Sequence, residues 1–160
     1  MPGQRHVRLK RTLPTLSRFE RVARQRGMRN ASTTRRWLAS AVLSHVAVSL
    51  VHGTAHNGAA VPLSPAAGFF VFVVIMAGPL IGLGLMWFAP TLGASIVALT
   101  MIASLVFGVV NHFVRSSPDH VAHVTPAWQP VFAATAVLLA LTEALGSGVA
   151  IRILHTEAAS

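Results

Sequence analysis

Polar residues crowd the first 36 positions of this chain and then become sparse, leaving four apolar stretches with short polar breaks between them. The stretches run from Trp37 to about His56, from Ala66 to Ala89, from Thr91 to Val114 and from Trp128 to Ile151. Each holds about 20 residues or more, and at about 1.5 Å per residue that length crosses a hydrocarbon core of about 30 Å. The second stretch contains no charged residue, His, Asn or Gln. The pattern predicts an all-α protein: a four-transmembrane-helix bundle over residues 37–155, preceded by a basic N-terminal tail over residues 1–36.

The breaks agree with this division. Pro62, Ser64 and Pro65 separate the first two spans, and Ala89-Pro90-Thr91 predicts a tight turn between the second and third. Residues 115–127 form a polar loop before the fourth span. Within that loop Ser117-Pro118-Asp119 reads as a helix start, with Ser as N-cap, Pro at the first helical position and Asp near the positive dipole end. A short helix is expected there, stopped by Pro126. Trp37, Trp87 and Trp128 fall at span ends, where an amphipathic ring favours the headgroup level. In the second span Gly78 and Gly82 form a small-xxx-small pair around Pro79, which predicts close helix packing and a kink.

Charge sets the orientation. Residues 1–36 carry 11 of the 13 Lys and Arg but only one of the four acids, Glu20. Arg35 and Arg36 abut the first span, so the positive-inside bias puts the N-terminus on the cytoplasmic side. Four crossings return the C-terminus to the same side, where Arg152 lies, and leave only Arg115 on the far side. The expected location is a bacterial inner membrane, with a mitochondrial inner membrane as the alternative.

The tail itself allows several readings. Leu13, Leu16, Phe19 and Val22 recur every third position with Arg18, Arg21 and Arg24 between them. Such a segment can lie as a basic amphipathic helix on anionic lipid headgroups. An Arg-rich, acid-poor leader also resembles a mitochondrial transit peptide. Thr34-Arg35-Arg36-Trp37-Leu38 loosely resembles a twin-arginine export signal, but three further spans follow it and leave no soluble cargo. Met28 is a second candidate start, which would make residues 1–27 dispensable. Nucleic acid is not an expected partner, because the basic residues sit in a tail with only Phe19 and Trp37 as aromatics.

Ionisable residues inside a span are costly and mark a function or a buried polar contact. His45, Ser49, His52 and His56 recur at i, i+4, i+7 and i+11 on the first span, which makes one stripe. That stripe should face the bundle interior. Counting about 1.5 Å per residue from the inner boundary puts His45 at about 12 Å, His52 at about 22 Å and His56 at about 28 Å. The same count puts His112 of the third span at about 31 Å and Glu143 of the fourth at about 13 Å. Two levels follow: a deep pair of His45 with Glu143, and an outer group of His52, His56, Asn57, Asn111 and His112.

The loop adds His120 and His123, three residues apart. Neutral imidazole is the commonest protein ligand for Zn, Cu and non-haem Fe, and His residues three or four apart on a helix can share an ion. The expected ligands are His52, His56 and His112 with His120 or His123, while Asp119, Asn57 and Asn111 orient them. A b-type haem between the first and third spans is the other candidate, with Arg115 meeting a propionate. The chain has no Cys, so thiolate ligands, disulfides and Cys nucleophiles are excluded. It also has no H-E-x-x-H motif and none of the H-x-x-H-H clusters of membrane di-iron hydroxylases.

Three functions are therefore in view. The leading one is a small membrane protein with a His-rich metal or haem site at its outer face, used for redox or electron transfer. The second is an accessory or assembly subunit of a larger membrane complex, or a homo-oligomer, without chemistry of its own. The third is a proton-linked carrier using His45 and Glu143.

Overall fold

The computed structural model describes residues 17–158, and every regular element among them is helical. Helix α1 is Arg18–Gly58, α2 is Pro65–Leu85, α3 is Pro90–Val114 and α4 is Gln129–Ala158. Four segments are long and apolar enough to cross a membrane, namely Ser32–Gly58 of α1 and the whole of α2, α3 and α4. This is the four-helix, strand-free architecture expected of a multi-pass membrane protein.

Contacts divide the chain into a unit ending at Ser32 and a unit beginning at Thr33. In the first unit, Arg18, Phe19 and Val22 are exposed along the start of α1. Leu13 and Leu16 of the expected amphipathic segment lie outside the described residues, as do the side chains of Arg21 and Arg24. Arg35 and Arg36 begin the second unit, and both are exposed.

Local chemistry explains the helix ends in the second unit. Ser64 caps α2 by accepting the Ala67 N–H at 3.2 Å, and Pro65 occupies the first helical position. The second apolar stretch leaves the helix at Leu85, not Ala89, because Pro90 starts the next helix. A residue before proline is pushed out of the helical region, and Ala89 sits at φ −141° and ψ 78°. Helix α1 ends with Ala60 at φ 53°, where the Val61 N–H reaches back to the His56 carbonyl at 3.0 Å. This left-handed closure usually takes Gly.

Residues buried inside the unit are a minority, and the large apolar side chains Phe69, Phe72, Leu99, Val106 and Leu141 face outward, as a lipid-facing shell requires. Helix α3 packs against both α2 and α4. Its approach to α2 rests on paired glycines. A Cβ on Gly93 would lie 2.7 Å from the Gly82 carbonyl oxygen and 2.7 Å from the Met86 nitrogen. Those are backbone atoms, so the helices touch main chain to main chain.

The two ends of the bundle have separate cores. At the proximal end, beside the start of the first span, Leu38, Val42, Met86, Ala94, Val97, Met101, Ala150 and Ile153 are packed together and buried. At the distal end Ala55, Ala59, Val124 and Phe132 form a smaller cluster with Trp128 against it. The 115–128 loop belongs to this distal end. It folds as successive turns, with no helix from Ser117 to Pro126. In a helix the Asp119 carbonyl would accept the His123 N–H; instead it accepts from the His112 ring at 3.0 Å, and the Val121 N–H bonds the His112 carbonyl at 3.0 Å. The loop is held down by its contacts with His112.

Two spans contain π-helical turns, Val71–Ala77 in α2 and Val110–Val114 in α3. Such turns are frequent at functional sites. Pro79 follows the first one, and a proline has no N–H to give to the helical ladder. The Ile75 carbonyl, beside this break, faces the bundle interior and accepts a hydrogen bond from His45 there.

Candidate metal centre

The His stripe on α1 does face inward: His45, His52 and His56 are all buried. His112, on the π turn of α3, is buried against them. One ring nitrogen from each of His52, His56 and His112 lies within 4.8 Å of the others. The ring centroids of His52 and His56 are 4.9 Å apart, and those of His52 and His112 are 4.8 Å apart. All three rings pack on Phe132 of α4, which is completely buried. A buried group of three His from two helices, able to hold one metal ion, is thus present in a membrane-type helical bundle.

The hydrogen-bond partners constrain where the ring hydrogens sit. His52 Nδ1 is 2.8 Å from the Thr135 hydroxyl. When Thr135 gives its own hydrogen to the Val131 carbonyl at 2.7 Å, with the Phe132 carbonyl at 3.1 Å, it accepts from His52, which then carries its hydrogen on Nδ1. His112 Nδ1 faces two acceptors, the Asp119 carbonyl at 3.0 Å and the Asp119 carboxylate at 3.4 Å, so it too is the N–H.

With the Thr135 hydrogen on its helix carbonyls, two Nε2 lone pairs meet across 3.2 Å; with that hydrogen given to His52 Nδ1, the His52 Nε2–H instead donates to His112 Nε2. Two neutral imidazoles in the first arrangement repel. A cation between them, either a proton or a metal ion, removes the repulsion. Two imidazoles bound to one tetrahedral ion at about 2.0–2.1 Å stand about 3.3 Å apart. The observed His52–His112 spacing of 3.2 Å is close to that value.

Asp119 supports the group from the loop. Its Oδ1 is buried, 3.2 Å from His56 Nε2 and 3.4 Å from His112 Nδ1. Burial opposes ionisation of this carboxyl, but the hydrogen bond from His112 and the adjacent His56 and His52 rings outweigh it and hold Asp119 below the ordinary carboxylate range. A carboxylate behind a ligating imidazole orients the ring and raises its basicity. His56 also has the Val61 carbonyl 3.5 Å from its Nδ1. To bind an ion it must exchange either Asp119 or Val61.

The other expected site residues are elsewhere. His120 accepts the Ala122 N–H at 3.1 Å, and the exposed His123 donates to the Ser117 carbonyl at 2.7 Å. Their rings are 5.1 Å apart and form a second pair outside the three-His group. The turn conformation of the loop is the reason, since it aims Asp119 inward and these two outward. Asn111 is spent on the Phe107 carbonyl of its own helix at 2.8 Å. Asn111 and Arg115 line a cleft that includes Asp119 but none of the three rings, and the exposed Asn57 lines the cavity that the three rings share.

The deep pair is also formed. His45 Nδ1 is 3.7 Å from Glu143 Oε1, and both side chains are buried. His45 Nε2 donates to the Ile75 carbonyl at 3.0 Å, the one beside the Pro79 break.

Thr135, Phe132 and Ile75 were not expected from the sequence. For Thr135 a signal exists: the depth count used for Glu143 puts it at about 26 Å, near His52. For Ile75 the signal is its place four residues before Pro79. Phe132 carries none. No family model matches this chain, and neither does any curated protein or solved structure.

Proposed function

We propose that this protein is a small multi-pass membrane protein that binds one transition-metal ion through His52, His56 and His112, with Asp119 behind the ligands. The observation that carries this reading is the convergence of three buried imidazoles from two spans, one ring nitrogen of each lying within 4.8 Å of the others. Three neutral imidazoles with no thiolate suit Zn, Cu or Fe, and three protein ligands leave a coordination position open. That position has room beside it, since the three rings line a cavity of about 560 Å³.

A single ion is favoured over b-type haem. A haem places its iron and the whole ring plane between two opposed nitrogens, whereas His52 and His112 are already within hydrogen-bond distance. The spans would have to part to admit it.

The orientation we propose follows the Arg distribution: termini in the cytoplasm, metal group at the outer face of a bacterial inner membrane. Redox or electron-transfer use follows if the ion is Cu or Fe, and Lewis-acid use if it is Zn.

Elemental analysis of the detergent-purified protein, followed by titration with each metal, tests the reading. One ion per chain is expected, without a haem absorption band. His52→Ala and His112→Ala should each abolish binding, while the double change His120→Ala with His123→Ala should retain it. Absence of stoichiometric Fe, Cu or Zn after reconstitution would refute the proposal. If the His changes instead alter only co-purification with other subunits, the protein is an assembly subunit.

A further inference from the structure

The His45–Glu143 pair lies outside the three-His group, and the same hydrogen accounting applies to it. His45 Nε2 donates to the Ile75 carbonyl, so a neutral His45 turns a lone pair, on Nδ1, toward Glu143. That Nδ1 is buried and has no hydrogen-bond partner among the described residues. A carboxylate oxygen 3.7 Å away is a second acceptor. Two acceptors facing each other in a water-poor interior call for one proton: on Glu143 as a neutral acid, or on His45 as an imidazolium beside a carboxylate. Transfer between these forms breaks the Oε1–H bond and makes an Nδ1–H bond, with no change in electron count.

Among the described residues no other ionisable group faces the pair. Helix α2 has none, α3 has only His112 at its distal end, and the next one along α4 is Arg152, about two and a half turns away. Along α1 the nearest are His52, about two turns away, and Arg36, about two and a half.

Access to the pair differs between the two ends. Glu143 lines the same cavity of about 560 Å³ as the three His, together with Ser49 and Ser104, and that cavity reaches Asn57 and Leu63 at the distal end. A space of this size is large enough to admit water, and the imidazole and hydroxyl groups along it supply polar partners. On the proximal side Met101 is seated directly on Gly146, one turn beyond Glu143, with Leu38, Val42, Val97 and Ala150 packed in the same core. The one buried hydroxyl there among the described residues, Ser147, is spent on the Glu143 and Ala144 carbonyls at 2.7 and 3.1 Å.

We propose that Glu143 and His45 hold one exchangeable proton, which enters and leaves through the distal cavity alone. The bundle is then a half-channel closed toward the termini, with a proton store about midway, and not a through-going proton path. The inference does not depend on the metal reading, and the tests below use chelator-treated protein so that the two can fail separately.

The chain lacks Cys, so single-Cys variants report access cleanly. In oriented membrane vesicles, a cationic, membrane-impermeant methanethiosulfonate should modify Ser104→Cys when added on the distal face and not on the proximal face. Ala98→Cys, within the proximal core, should be protected from both. Modification of Ser104→Cys from the proximal face, or from neither, overturns the route.

The store is tested on the unmodified chain. Dicyclohexylcarbodiimide, which adds to protonated carboxyls in apolar surroundings, should label the peptide containing Glu143, and rising pH on the distal face should reduce labelling. In the infrared, a carboxylic-acid carbonyl band should be present in wild type, shifted in Glu143→Asp and missing in Glu143→Gln. No label at Glu143 and no such band would overturn the shared proton.

Discussion

His45 donates its Nε2 hydrogen to the carbonyl of Ile75 across 3.0 Å, joining two spans at residues 30 positions apart. Pro79, one turn further along α2, supplies no N–H to the helical ladder that the π turn and the following α-helix share, and the Ile75 carbonyl lies beside that break. The carbonyl is an acceptor in the bundle interior, and this acceptor decides which nitrogen of His45 faces Glu143.

Replacing Pro79 by Ala supplies an N–H that competes with His45 for the Ile75 carbonyl. A hydrogen bond worth about 1 kcal/mol corresponds to about a fivefold change in tautomer ratio. Nitrogen-15 NMR of labelled histidine should show His45 almost wholly as the Nε2–H form in the wild type and a mixture in the variant. An unchanged tautomer would mean that the proline does not control it.

Thr135 presents the analogous case in the metal group. Thr135→Val keeps the shape and removes the oxygen that is hydrogen-bonded to His52 Nδ1. Loss of such an outer contact typically lowers metal affinity by about 10–100-fold, and Thr135→Ser should restore most of it. Competition with a chelator of known affinity measures both.

Helix approach gives a paired prediction. Gly93→Ala puts a methyl group 2.7 Å from the Gly82 oxygen of α2 and 2.7 Å from the nitrogen of Met86 just after it, backbone atoms that cannot rotate away, whereas Gly84→Ala meets nothing within 4 Å. The first should destabilise the bundle by about 1–3 kcal/mol and the second should have little effect. Thermal unfolding in detergent distinguishes them.

Ala60 lies in the left-handed region at φ 53°, a conformation that costs a residue with a Cβ about 1–2 kcal/mol. Ala60→Gly should raise stability by about 1 kcal/mol while leaving metal binding intact. A fall in stability would show that the Ala60 methyl, and not the backbone strain, matters at this turn.

Acid should strip the metal. Imidazole binds a metal only in its neutral form, so protons compete with the ion for the ligand nitrogens and affinity falls as pH falls. Loss of metal on acidification with full recovery on return to neutral pH is the expected outcome, read by elemental analysis after desalting at each pH.

The sequence by itself determined the four spans and the inward face of α1. Both depend on local quantities: about 20 apolar residues are needed per crossing, and a charged or imidazole side chain facing lipid is costly. Those rules hold whatever the helices pack against, which is why His45, His52 and His56 could be assigned to the interior and His45 matched to Glu143 by depth alone.

Rotation about a helix axis and the path of a loop are not local quantities, and tertiary structure decided them. His112 joins the group because α3 carries a π turn there, whereas the neighbouring Asn111 bonds its own helix. The 115–128 loop has good helix-start chemistry, yet the His112 ring takes the Asp119 carbonyl and the segment remains in turns, leaving His120 and His123 outside. A helical segment there would have gained a few local hydrogen bonds. Docking onto a buried imidazole satisfies groups that water cannot reach, and in an apolar interior that term is the larger.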